Sequence, residues 1–469
     1  MMFAATALAL AIVTQDQVAL RAAPRDSAQQ QAQLWQGDSL EVRGEKGDFL
    51  QVWDHRRERG GYIRVNQARQ MELTPAAAPQ MLAVMNFVRD TPGQEALGIG
   101  YAAAFLKAAE PAQIGPEAFD ALGTMADRLA RRASSSRGDK ASDARTAAQL
   151  EVAAAYGVGM TSFEREGRVQ ICYDGEAFRR VLAQPQSAPL LKARAALALT
   201  RHECVSPDLT PSQRATLDAW RIEVLGRVET AKLPEHVKNR IFMRRAGVLS
   251  AIAYQQQRRG EAPQETANRA IESLAAINKS ELTEDDANSY SDAATRAGVV
   301  RWAASDAARA VSTLSVTTRP GQPGETCVQL VEAKQKAALF ERCTYGFVYP
   351  ASAAPNPQHT MLALAVQTLD TWRELWLFRK GADGWFVEVI PPSANGPDIG
   401  YIDFAGWVPG GKQMLTAREV RVEGRYKKSF ELMSLDSLQV ERWADKPESL
   451  TPFYRWQDPS WKRMTLSLR

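Results

Sequence analysis

From Val18 to Ile63 apolar and polar residues alternate in short runs, so that Leu20, Leu40, Val42, Leu50, Val52 and Ile63 share one side of consecutive strands. Strand-like sequence extends over residues 12–72. From about 75 to 316 the period changes to that of helices. Proline opens helical stretches at Pro75, Pro116, Pro211, Pro234 and Pro263. Thr210-Pro211-Ser212-Gln213 reads as a capping box, and Thr283 can cap the next helix with Asp286 three residues on. Leu217, Trp220, Val224 and Val228 fit one buried helical face. The helix starts are too unevenly spaced for a 34-residue repeat, which predicts an irregular array of helical hairpins. Beyond residue 325 the chain is again strand-like and rich in aromatics. Thr317-Thr318-Arg319-Pro320-Gly321-Gln322-Pro323-Gly324 reads as the linker, because its prolines and glycines break both regular structures. The pattern therefore predicts a multidomain α+β chain.

The first residues add a compartment. Phe3 to Val13 (FAATALALAIV) is an apolar run too short to span a bilayer and long enough for the core of a signal peptide. Ala9-Leu10-Ala11 supplies small residues for cleavage after Ala11, so residues 1–11 read as a leader and the mature chain as periplasmic. No Lys or Arg precedes the run. The alternative is a buried first strand, for which alanine-rich sequence is poor material. No later segment approaches the ~20 apolar residues of a membrane span.

The four cysteines allow three pairings. The midpoint between Cys172 and Cys204 falls in the helix break Gln184–Pro189, which sets these two at the open ends of a helical hairpin. The midpoint between Cys327 and Cys343 falls in the polar turn Ala333–Ala337, which sets that pair opposite each other on antiparallel strands. Both pairs then come within disulfide reach, and each bridge would stabilise by roughly 3–4 kcal/mol. The other reading is four buried thiols.

The 469 residues carry 58 Lys and Arg against 54 Asp and Glu, a net charge of +4 with the signs interspersed. That excludes the clustered basicity of a nucleic-acid binder. The doublets Arg131-Arg132, Arg179-Arg180, Arg244-Arg245 and Arg258-Arg259 read as solvated helix faces. Arg201-His202-Glu203-Cys204 lacks the second histidine a metal site would need, so no metal and no cofactor are expected.

VALRAAP (with Ala19, Leu20, Arg21 and Pro24), LWQGDSLEVRG with Gly37 at the turn, GDFLQVWD with Phe49 in a position that often carries Trp, and GGYIRVNQARQ with Tyr62 for Trp stand in the order and spacing of a known module. The segment resembles the bacterial SH3-like family. The resemblance covers about 55 residues and implies a small SH3-like β-barrel over 12–72 that binds cell-wall peptides or protein segments through an aromatic-lined groove. The groove residues it implies are Trp35, Trp53 and Tyr62, with Arg56 and Arg57 of the adjoining basic loop placed to meet a carboxylate. Phe49 and Tyr62 read rather as core, which leaves Trp35 and Trp53 as the groove pair.

Two features of the region 325–469 look like known chemistry or architecture. Gly406-Trp407-Val408-Pro409-Gly410-Gly411-Lys412 nearly makes a phosphate loop, but Gln413 replaces the Ser or Thr and strand-like sequence follows, so it reads as a turn. That turn resembles those of TolB- and WD-type propeller blades. Met361–Ala365 before Glu374–Phe378 is echoed 53 residues later by Met414–Ala417 before Phe430–Met433, which predicts two stacked blade-like antiparallel sheets. The tail PFYRWQDPSWKRM should pack back on the sheet.

No nucleophile elbow, zinc signature or dinucleotide loop occurs, and His55, His202, His236 and His359 are scattered. The expectation is an exported, non-catalytic binding or scaffold protein docking on peptidoglycan or an envelope protein, with no catalytic residue assigned. The alternative is a cell-wall hydrolase targeted by its SH3-like domain.

Overall fold

The alternating residues do bury together: Val18, Leu20, Leu34, Leu40, Leu50, Val52 and Ile63 form one apolar cluster with Ala11 and Val13. The computed structural model describes residues 9–135, 139–165, 167–305, 313–333 and 337–464. Seven strands carry the cluster: β1 (Ala9–Val13), β2 (Val18–Arg21), β3 (Gln30–Leu34), β4 (Ser39–Lys46), β5 (Phe49–Asp54), β6 (Arg59–Arg64) and β7 (Ala68–Glu72). They pair antiparallel in the order β3-β2-β6-β5-β4-β1-β7. β3 and β7 are the two edges and do not pair, so the expected barrel is corrected to an open sheet.

The reason lies in β1. Ala11 and Val13 face the strand cluster, whereas Leu10 and Ile12 pack into a second core with Met71 and the helices that follow. A strand buried on both faces has a continuous apolar sequence. That is why Ala9–Val13 looks like the end of a leader. It is hydrogen-bonded to β4 on one side and β7 on the other, and cleavage after Ala11 would remove three of its five residues. The rest of the expected leader, residues 1–8, lies outside the described residues.

The second core is built by α1 (Ala78–Val88), α2 (Glu95–Ala108), α3 (Pro116–Ser134) and α4 (Lys140–Ala155). Ala118, Ala121, Met125 and Leu129 of α3 recur at helical spacing and are its buried stripe. A hairpin, β8 (Met160–Arg165) and β9 (Arg168–Tyr173), and helices α5 (Glu176–Ala183) and α6 (Pro189–Leu199) complete this part. Cys172 sits on β9 rather than on a helix, and its Cα lies 5.8 Å from that of Cys204 in a bridged pair. The α5–α6 hairpin between them turns at the expected break.

The chain divides into two units, one up to Leu209 and one from Thr210. The helical stretch 75–316 expected from composition is split between the two units. Composition reports secondary structure; it does not report which core a helix joins.

In the second unit α7 (Pro211–Gly226) begins at the expected capping box, with Thr210 Oγ1 accepting from Gln213 N–H at 3.3 Å. Of the expected apolar face Val224 and Val228 are buried and Leu217 and Trp220 half-buried, and Asp218, Arg221 and Leu225 are buried with them. Helices α8 (Glu235–Arg258), α9 (Gln264–Ala275) and α10 (Ala287–Val300) follow.

Strands β10 (Leu314–Pro320), β11 (Thr326–Glu332) and β12 (Phe340–Thr344) make a three-stranded sheet. Half of the expected linker, Thr317 to Pro320, thus lies in β10 and pairs with β11. Cys327 and Cys343 stand directly opposite each other on β11 and β12 and are bridged. Residues 334–336, the middle of the expected turn, lie outside the described residues.

The remaining strands are β13 (Phe347–Pro355), β14 (Met361–Leu369), β15 (Trp372–Gly381), β16 (Gly384–Ile390), β17 (Gly400–Trp407), β18 (Gln413–Val422), β19 (Arg425–Ser434) and β20 (Val440–Ala444). They form one eight-stranded sheet, β13-β14-β15-β17-β18-β19-β20 with β16 beside β15. The two echoed segments are its hairpins β14–β15 and β18–β19. Parallel pairing of Trp372 with Gly400 and Arg373 with Tyr401 joins the halves, which corrects the expectation of two separate blades. The near-phosphate loop is the β17–β18 turn. Two short helices, α11 (Thr451–Trp456) and α12 (Pro459–Met464), bring Phe453 and Trp461 onto Phe430, so the tail does pack on the sheet.

Candidate functional site

Register places the aromatic residues of the first sheet. Across β5 and β6, Phe49 pairs with Arg64, Gln51 with Tyr62 and Trp53 with Gly60. Side chains two apart, and those directly opposite, share a face. Leu50, Val52 and Ile63 therefore point into the core, while Phe49, Gln51, Trp53, Tyr62 and Arg64 point out. β4 adds Glu41 opposite Trp53 and Lys46 opposite Phe49, with a bulge beside Arg43.

On that outer face every ring carries a cation. The Arg43 guanidinium lies 4.4 Å from the Trp53 ring centre, the Lys46 ammonium 5.8 Å from Tyr62, and the Arg64 guanidinium 5.0 Å from Phe49. Tyr62 is half-buried and outside the core cluster; Phe49 is buried, but beneath Arg64 on the outer side. Glu41 accepts from Arg43, with the His55 ring 2.6 Å away, and both partners hold its carboxyl below the usual range. The result is a row of three rings interleaved with positive charge.

The other expected groove residues are not part of this row. Trp35 lies in the turn between β3 and β4, where its N–H donates to Asp38 Oδ2 at 2.9 Å. Arg57 donates to Asp54 Oδ2 at 2.7 Å and to Asp38 Oδ2 at 3.2 Å, and Arg56 donates to Glu151 Oε2 at 2.9 Å. Asp38 is buried, and burial pushes its carboxyl up despite these donors. Arg56 and Arg57 thus neutralise carboxylates of their own unit, and Arg57 locks the hairpin tip to the Trp35 turn.

A second concentration of polar chemistry was not anticipated. It lies where α10 and the following turn Arg301–Ala304 cover β15 and β17. Arg301, Arg373 and Asp403 are each at most 4% exposed. Asp403 Oδ1 lies 2.9 Å from Arg373 Nη2, and Oδ2 lies 2.9 Å from Arg301 Nη2, the latter without hydrogen-bond alignment. Arg373 Nη2 also donates to the Gly298 carbonyl at 2.9 Å. Its guanidinium stands 5.0 Å from the Tyr401 ring, whose hydroxyl donates to buried Glu419 at 3.0 Å. Gly298 is required here: a Cβ would lie 2.2 Å from Tyr401 Cε1. One signal was available in the sequence, since Asp403 interrupts the otherwise apolar β17.

Glu325, Cys327 and Cys343 bring ligand-type atoms within 4.8 Å of one another, but the two sulfurs are bonded to each other and cannot act as thiolates. No helix among the described residues is long and apolar enough to cross a membrane. No family model matches the chain, and no curated protein or solved structure matches it.

Proposed function

We propose that this chain is an exported binding or scaffold protein of the cell envelope, periplasmic and non-catalytic, whose first sheet docks on peptidoglycan. The observation that carries the reading is the outer-face row of Phe49, Trp53 and Tyr62, each ring paired with Arg43, Lys46 or Arg64. Flat rings cover sugar faces and extended peptide at low entropic cost; Arg43 and Arg64 already pair with Glu41 and Asp26, so Lys46 is the cation of the row that suits a wall-peptide carboxylate. The order of motifs resembling the bacterial SH3-like family supports the same reading. Two cysteine pairs at bonding distance favour an oxidising compartment.

The test is co-sedimentation of the purified full chain with insoluble peptidoglycan, with soluble fragments assayed in the supernatant. Binding that falls at least tenfold in Trp53→Ala, at unchanged circular dichroism, supports the reading. Release of fragments would instead favour the wall-hydrolase alternative. Absence of binding would leave an envelope protein as the partner and reject the peptidoglycan assignment.

A further inference from the structure

Two arginines and one carboxylate meet in the interior of the second unit, a surplus of one positive charge. Arg373 is fully buried, Arg301 is 4% exposed and Asp403 is 2% exposed. Asp403 is the carboxylate within ion-pair distance of both guanidiniums. Glu419 is turned toward the far end of Tyr401, beyond the ring that Arg373 faces. Apart from Arg373 Nη2, which donates to Gly298, the guanidinium nitrogens lack hydrogen-bond partners among the described residues. These are Nε, Nη1 and Nη2 of Arg301 and Nε and Nη1 of Arg373. A buried donor left unsatisfied is destabilising, and more so when it is charged. One added acceptor of single negative charge cancels the surplus charge and takes hydrogen bonds from those of the five donor nitrogens that face it.

We propose that Arg301 and Arg373 hold a small monovalent inorganic anion of the halide class. The recognition is by forked N–H donors alone. Gly298 brings the helix backbone close enough for its carbonyl to orient Arg373, and Asp403 stands within ion-pair distance of both guanidiniums. Arg301 leaves α10 in a single 3-10 turn, so occupancy ties the end of this helix to β15 and β17. The ligand is structural, and the site is independent of the aromatic row on the first sheet.

The experiment exchanges gluconate for chloride or bromide at constant ionic strength while the unfolding midpoint of the full chain is followed. The expected result is a saturable rise of about 2–6 °C, retained with bromide and absent from Arg301→Gln. A midpoint indifferent to the anion, or a response of equal size in Arg301→Gln, overturns the proposal. Should that variant fail to fold, bromide-soaked crystals of the unaltered protein decide. An anomalous peak within hydrogen-bond reach of both guanidiniums supports the site, and its absence rejects it.

Discussion

The hydroxyl of Tyr156, at the end of α4, donates to the carbonyl of Gly37 in the β3–β4 turn at 2.6 Å across 119 residues of sequence. Burial pushes the Tyr156 phenol up to about 12, so it remains a donor throughout the neutral range. Gly37 has φ +93°, and a Cβ there would lie 2.4 Å from the carbonyl oxygen of Ala96 on α2. Sheet and helices of the first unit are thus fastened at one turn that accepts no side chain.

Gly37→Ala should destabilise the first unit by about 2–4 kcal/mol, since it combines left-handed strain with a backbone clash. Tyr156→Phe should cost about 1 kcal/mol, the value of one hydrogen bond. Urea unfolding with hydrogen exchange on β1 and α2 checks both. Equal effects of the two variants would contradict the assignment of the turn as the tighter constraint.

The two bridges should behave as separate staples. Cys172–Cys204 encloses the longer loop, with a sequence separation of 32 against 16 for Cys327–Cys343. Replacing either pair by alanines should cost about 3–4 kcal/mol, and the longer loop should lose about 0.6 kcal/mol more. Loss of exchange protection should be confined to the unit that carries the bridge. Thiol titration of the unreduced, unfolded chain should find no free sulfhydryl.

The contrast between these pairs and the domain boundaries shows what was legible. Cysteine pairing followed from local geometry, because Cys327 and Cys343 lie on one hairpin and the α5–α6 turn returns the chain to Cys172. Leu20, Leu50 and Ile63 announced their core by a period of two. β1 did not, because burial on both faces erases alternation and leaves a run that also suits a leader. The boundary at Leu209 was invisible for a related reason: helical sequence runs on both sides of it, and the helical period does not say which core a helix joins. Of the candidate site, Trp53 and Tyr62 were named from the resemblance alone; that both face outward follows from the register of β5 and β6. The pairing of Arg57 with Asp38 was not legible, because nothing local marks a contact across 19 residues.

Asp120 on α3 offers a test of electrostatics by pH. It is buried, neither oxygen has a hydrogen-bond partner among the described residues, and Arg89 and Arg194 stand 3.7 and 3.6 Å from Oδ2. Burial outweighs both arginines and raises its carboxyl above the ordinary 3.8. The folded state therefore binds this proton more tightly than the unfolded chain. The favourable contribution is fully present below 3.8 and is lost as pH rises through the raised value. Asp120→Asn should gain stability on the unaltered protein as pH increases over that range, with no difference at lower pH. Denaturation midpoints of the two proteins from pH 3 to 8 measure it, and a variant less stable at pH 7 would refute it.

The Arg301–Asp403–Arg373 cluster makes an unequal prediction for its members. Removing Asp403 leaves two buried guanidiniums facing each other with no carboxylate between them, whereas removing Arg301 leaves a one-to-one pair of Arg373 and Asp403. Breaking a buried pair costs about 3–5 kcal/mol because an uncompensated charge remains. Asp403→Asn should therefore destabilise the second unit by that amount. Arg301→Met should cost less than half as much, because it removes the surplus charge together with three unsatisfied donors. Urea midpoints of the two variants, in gluconate without chloride or bromide, give the ordering. If Arg301→Met proved the more damaging, its packing on Trp302 at 5.4 Å would outweigh its charge, and the cluster would have to be read as apolar support for the end of α10.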